Sequence, residues 1–347
     1  MNLIRPASLF TFFCFLSIFS AFAQSIPLKT RVDSLIKLNV PRKFNGVIAI
    51  AQSGKIIYSQ NYGYSDFAQK TSFTEESQFI LGSLSKQFTA VLVLQELDKG
   101  HLSLKDPIRK YLPDLKESWA DSVTVHHLLN HTSGIVALDK PLSFKPGTKF
   151  SYSPLLCYQL LAQIAEKLSG KTYQELMKTL FEKCDMTNST IPVAYKSGKL
   201  VSCYSEENDG TLALEKVKPE ELGFATPGGG IISTKNDLIK WNEALHHGKL
   251  LKTNTYKLMA TASSSREHAR WGNIDYGYGL QIDKQDDILE LSHSGALIGF
   301  ISSNLYFPET ETSIVILENI AWNFDNVIRT FFFHDQIRKI VKENLKR

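Results

Sequence analysis

Ser83 and Lys86 stand three residues apart at the head of residues 82–97, GSLSKQFTAVLVLQEL. Residues at that spacing face the same side of a helix, so a hydroxyl and an amine placed there can share a hydrogen bond. A serine hydroxyl is a weak nucleophile until a neighbouring base takes its proton. An amine serves as that base only in its neutral form, which burial and the positive end of a helix both favour. Phe88, Val91, Leu92, Gln95 and Leu97 carry the rhythm of a largely buried helix, and Gly100 is its stop. Ser83 is therefore read as an acylated nucleophile and Lys86 as its activating amine. The spacing alone says little, because a chain of this length should hold about one such pair by accident. Ser34 and Lys37 supply it, in RVDSLIKL, where Val32, Leu35 and Ile36 form the apolar stripe and leave the pair on the wet face.

The elements that must position this pair fall into three blocks. After a short amphipathic helix over 30–38, β-rich runs at 46–51 and 55–62 meet at Ser53-Gly54 as a hairpin. The middle is mostly helical. It holds the Ser83 helix, a loop punctuated by Pro107 and Pro113, and a short helix capped by Thr124. Helices over 155–168 and 173–183 follow, then a hairpin over 201–214 and a helix from Ser233 or Thr234 to about His246. The tail is β-rich again at 276–282, 288–292, 297–307 and 312–318, and closes on an amphipathic helix over 323–345 whose Phe331-Phe332-Phe333 should pack inward. Strands at both ends with helices between them predict an α+β fold: one antiparallel sheet built from both termini, with a helical region over about 80–250 inserted.

In that order the chain resembles the serine β-lactamase and penicillin-binding superfamily, nearest its class C β-lactamase, D-aminopeptidase and family VIII esterase branch. The resemblance rests on Ser83-Leu84-Ser85-Lys86, residues 128–134 (LLNHTSG), Pro146-Gly147 leading to Phe150-Ser151-Tyr152-Ser153, Gly228-Gly229-Gly230 with Ile231-Ile232-Ser233-Thr234, and His293-Ser294-Gly295. It implies a β-lactamase-like fold and roles for further residues. Tyr152 matches the second-motif tyrosine, whose phenol, with an ordinary pKa of about 10, needs an adjacent cation such as Lys86 to move protons. His293, Ser294 and Gly295 take the third-motif strand as substrate-binding residues. There the histidine replaces a more usual lysine, and its charge should follow pH. The backbone amides of Ser83 and Ala296 would form the oxyanion hole. Pro154 departs from the pattern, because the family's second motif usually has asparagine there. Proline offers neither a side-chain donor nor an acceptor. This favours simpler esters or amides over β-lactams and D,D-peptides.

The expected activity is thus a serine hydrolase acting through a Ser83 acyl-enzyme on a small ester, amide or peptidoglycan-derived substrate, with no cofactor and no metal. The alternatives are a β-lactamase or D,D-carboxypeptidase and, from another class, a non-catalytic binding protein of the same fold. Residues 1–23 read as a signal peptide, with Arg5, a phenylalanine-rich core and Ala21-Phe22-Ala23 before Gln24. Residues 24–347 would then be a single secreted or periplasmic catalytic domain with no stable membrane span. Losing Arg5 takes the net charge from +4 to +3, too mild and too scattered to indicate nucleic acid or anionic lipid as a partner. Oligomeric state is not legible. Cys157, Cys184 and Cys203 allow at most one internal bridge. Ser169-Gly170-Lys171-Thr172 is no phosphate loop, since position 165 is alanine. The adjacent pairs His126-His127 and His246-His247 point to different helix faces and cannot chelate one metal. His131 is expected to bond beneath the site, and Gly228–Gly230 to give close backbone packing near it.

Overall fold

A computed structural model describes residues 26–152 and 155–346. The proposed signal segment and Pro154 lie outside them. One eight-stranded sheet organises the molecule, with strands β1 Gly46–Gln52, β2 Lys55–Tyr62, β3 Ser264–His268, β4 Gly272–Tyr276, β5 Gln281–Asp283, β6 Glu290–Leu297, β7 Phe300–Phe307 and β8 Thr312–Glu318. Their order is β2-β1-β8-β7-β6-β5-β4-β3, antiparallel throughout, so strands from the two ends of the chain meet where β1 pairs with β8. The expected α+β architecture is the one found.

Alternation along the central strands divides the interior. Val47, Ala49 and Ala51 face the inserted helices, whereas Ile48 and Ile50 face the opposite layer with Ile314 and Ile316. The inserted side holds α2 Ser85–Asp98, α3 Val125–Leu129, α4 Leu155–Ser169, α5 Tyr173–Lys183, α6 Lys235–His246 and α7 Thr253–Met259. The opposite layer is made by the terminal helices, α1 Leu28–Ile36 and α9 Phe332–Leu345, with the short α8 Val327–Thr330 before the latter. α2 is buried almost all round, and Phe88 stacks on Trp241 of α6 at 3.9 Å between ring centroids. Local signals set the helix starts. Thr124 and Thr172 each form a reciprocal capping box, with His127 and Glu175, and Thr234 accepts from Asp237 N.

Two expectations need correction, and one hairpin is new. The strand read over 276–282 is two strands, because the backbone turns between them. A Cβ at Gly277 would sit 2.1 Å from Met259 O, and Gly279 has φ +71°. The hairpin of β3 and β4 has no counterpart in the sequence reading. The closing helix is broken at Phe331, whose ring is buried beneath the Arg270 guanidinium. Cys157, Cys184 and Cys203 are all buried, and Cys184 and Cys203 are free thiols. No helix among the described residues is long and apolar enough to cross a membrane.

Candidate active site

Ser83 lies on a 3-10 turn, Gly82–Leu84, that leads into α2, rather than on the helix itself. Lys86 follows on the first turn of α2, and its Nζ is 3.0 Å from Ser83 Oγ and 2.8 Å from Gly228 O. The lysine is 1% exposed. Gly228 belongs to a wide helical turn, Thr226–Gly230, pressed against α4. A Cβ there would stand 2.8 Å from Leu155 Cδ2, so a side chain at 228 would have to displace the end of Leu155. The Lys86 amine also lies 5.0 Å from the Tyr152 ring centroid and 5.2 Å from that of Tyr158, within range of a cation–π attraction.

The Ser83 turn docks on a free strand edge. β5 pairs with β6 only at Glu290–Ser292, so the outer edge of β6 from His293 onward has no strand partner among the described residues. Gly82, at φ +55°, brings the turn so close that a Cβ would be 2.4 Å from Ala296 N. A Cβ on Gly295 would in turn be 2.8 Å from Ser83 N and 2.1 Å from Leu81 O. Ser302 Oγ donates to Leu81 O at 2.6 Å and ties the turn to β7. The backbone amides of Ser83 and Ala296 are thereby neighbours beside the Ser83 hydroxyl, an arrangement that can hold an oxyanion.

Tyr152 is 40% exposed at the mouth of the cleft, and its ring rests 4.5 Å from the His131 ring. His131 is fully buried and its Nε2 lies 3.2 Å from Tyr276 Oη, which is 3.0 Å from His293 Nε2. His293 Nδ1 is 2.6 Å from Ser294 O. A carbonyl only accepts, so Nδ1 carries the His293 proton, Tyr276 donates to Nε2, and His131 donates to Tyr276. Burial, reinforced by Lys86, pushes His293 down to about 3 and holds His131 well below the usual histidine range. Burial also raises Tyr276 well above an ordinary phenol. His293 therefore stays neutral across ordinary pH, unlike the pH-following charge expected of it, and it bonds Tyr276 rather than Tyr152.

A cavity of about 440 Å³ opens beside Ala296, with Tyr152, Arg266, Arg270, His293 and Ser294 in its wall. Arg266 had no sequence signal, because only the hairpin of β3 and β4 brings it here, whereas Tyr276 opens the strand read over 276–282. The Arg266 guanidinium sits 5.4 Å from the Tyr152 ring centroid and 5.7 Å from that of Phe150, with its Nε unbonded. Of the expected substrate contacts, His293 and Gly295 face the Ser83 side of β6. Strand alternation turns Ser294 to the other face, where it pairs with Ser303 across β7. Among the described residues no group of three or more histidine, cysteine or acidic side chains is placed to hold a metal ion.

The beta-lactamase family model matches residues 37–330. The chain belongs to the beta-lactamase family. A penicillin-binding protein of Bacillus subtilis is 27% identical over 323 residues, spanning 81% of this chain and 69% of that protein. Among solved structures, the octameric penicillin-binding protein homologue of Pyrococcus abyssi aligns with a TM-score of 0.75 at 26% identity, over 87% of this chain and 76% of its own. D-amino acid amidase of Ochrobactrum anthropi aligns with a TM-score of 0.77 over 91% and 99%; at 20% identity this is a likeness of fold.

Proposed function

We propose that this beta-lactamase family member is a serine hydrolase that cleaves an ester or amide through an acyl-enzyme on Ser83. The observation that carries the reading is the 3.0 Å contact between Lys86 Nζ and Ser83 Oγ beside the paired Ser83 and Ala296 amides. Ser83 Oγ attacks the carbonyl carbon while Lys86 and Tyr152 take its proton and pass it to the leaving alkoxide or amine. The two amides hold the oxygen that gains charge, and losing one such donor costs roughly 3 kcal/mol of transition-state stabilisation. Water then attacks the ester on Ser83 and releases the acid. His293 works from beneath, fixing Tyr276 and through it His131, on which Tyr152 rests. Gly295 lets the substrate backbone approach the strand.

Residues 1–23 would direct the chain to the periplasm or exterior and be removed, leaving 24–347 as the catalytic domain. A mature N-terminus at Gln24 in protein recovered from its own compartment checks this. A fluorophosphonate probe should add one adduct to the folded protein by intact mass, and Ser83→Ala should abolish it. Labelling of Ser83→Ala at the wild-type level removes the nucleophile assignment, and an unlabelled wild type points instead to a binding protein. The name of the Bacillus subtilis relative favours a second reading, action on penicillins or D,D-peptides. A penicillin adduct on Ser83 that turns over would select it, against the expectation from Pro154.

A further inference from the structure

Behind the cleft, on the α9 face of the sheet, a chain of polar groups runs from the buried Arg42 to Arg270, with Ser294 half-buried near its end. Arg42 holds Glu318 with two hydrogen bonds, 2.8 and 2.7 Å long, and neither side chain is exposed. Burial opposes ionisation of Glu318, but Arg42 and His334 outweigh it and keep the carboxyl below its ordinary range. His334 Nε2 lies 2.9 Å from Glu318 Oε1. A carboxylate only accepts, so this nitrogen carries the proton. His334 Nδ1, 2.7 Å from Ser303 Oγ, is left as an acceptor, and Ser303 donates to it. Ser303 Oγ is 3.3 Å from Ser294 Oγ, and with the Ser303 proton already placed, Ser294 must be the donor. Arg270 Nη2 completes the chain by donating to Ser294 Oγ at 2.8 Å.

Each proton in this chain has one place to go. Burial holds His334 below the usual histidine range against the pull of Glu318, and the neutral ring is the form the chain requires. Ser294, in the wall of the cavity beside Ala296, therefore turns its proton inward and offers a substrate only a lone pair. We infer that Ser303, His334 and Glu318 are positioning residues that hold Ser294 as an acceptor, so that a substrate in the cavity finds no donor in the Ser294 hydroxyl. The relay thereby sets how the site discriminates between leaving groups with and without a carboxylate. This consequence rests on the serine hydrolase reading; the relay itself does not.

Two measurements test the inference separately. In the full-length protein labelled with 15N-histidine, His334 should appear at pH 7 as the neutral Nε2–H tautomer, and an Nδ1–H ring overturns the relay whether or not the protein hydrolyses anything. For the consequence, phenyl acetate and 3-acetoxybenzoate differ by a carboxylate on the leaving group. Ser303→Ala releases the Ser294 proton into the cavity, and the KM ratio of the two esters should shift about tenfold in favour of the charged one, as one added hydrogen bond to an ion would do. His334→Leu should shift it the same way. His334→Gln should restore the wild-type ratio, because its carbonyl can accept from Ser303 and its amide can donate to Glu318. A ratio that stays at the wild-type value in Ser303→Ala overturns the consequence. A wild type that hydrolyses neither ester removes the hydrolase reading and leaves the tautomer to decide the relay.

Discussion

The chain carries the Ser-x-x-Lys spacing twice, in two regions that the fold treats in opposite ways. At the end of α1, Ser34 and the following Lys37 are exposed on the outer face, while Val32 and Ile36 pack inward against the sheet. At the head of α2 the lysine is buried, hydrogen-bonded to the serine and to Gly228 O, and the serine backbone is pressed against a free strand edge. The spacing is shared, so the difference lies in the surroundings. A helix face provides proximity, whereas reactivity needs a buried amine and donors fixed in advance.

The widest separation between the two regions should come from the lysines. Lys86→Ala is expected to slow fluorophosphonate labelling of Ser83 by about a thousandfold, the scale of a lost acid–base group. Lys37→Ala should leave the rate unchanged and stability within about 0.5 kcal/mol. Similar losses in both variants would mean that spacing, and not surroundings, carries the effect.

Glycines sharpen the same contrast in stability. Gly82 and Gly100 both have positive φ, but a Cβ at 82 meets Ala296 N at 2.4 Å and one at 100 meets nothing within 4 Å. Gly100→Ala should cost about 1 kcal/mol of backbone strain, and Gly82→Ala about 3 kcal/mol once overpacking is added. Denaturant unfolding of the two variants measures the gap, and equal costs would contradict the close docking of the Ser83 turn on β6.

The smallest effect is a pH slope. Burial pushes His293, His246 and His268 down to about 3 and His127 to about 4. In the unfolded chain these rings take protons near the ordinary value of 6.5, so between roughly pH 6.5 and 3 the unfolded state binds more protons than the folded one. Their contribution to stability is complete above about 6.5 and is lost as pH falls towards 3. Tm should therefore decline on acidification, and His293→Gln should show a shallower decline than wild type. An unchanged slope in that variant would count against a buried neutral His293.

Much of the frame is legible locally. The capping threonines 124 and 234 mark helix starts, Gly100 and Gly170 mark ends, and the residue-by-residue alternation of β1 assigns its two faces. The motif order likewise points to Ser83, Lys86, Tyr152 and the strand of His293. The hairpin of β3 and β4 is not legible, and with it goes Arg266; Tyr276 is legible only as the start of a strand. The hairpin's residues, SSREH and GNIDY, mix charge and small polar groups in a way no strand rule singles out, and they form strands by pairing with each other and with β5.

By itself the sequence determined most of the helices, the central strands and which side chains could react, because caps, glycine stops and hydrophobic periods act over a few residues. Tertiary structure decided the chemistry of those side chains. It buried Lys86, tied both nitrogens of His293 to partners that leave it neutral, and turned Ser294 away from the Ser83 side towards a relay ending at Arg42. Where a proton rests depends on the charges and partners around it in space, and most of these come from far along the chain.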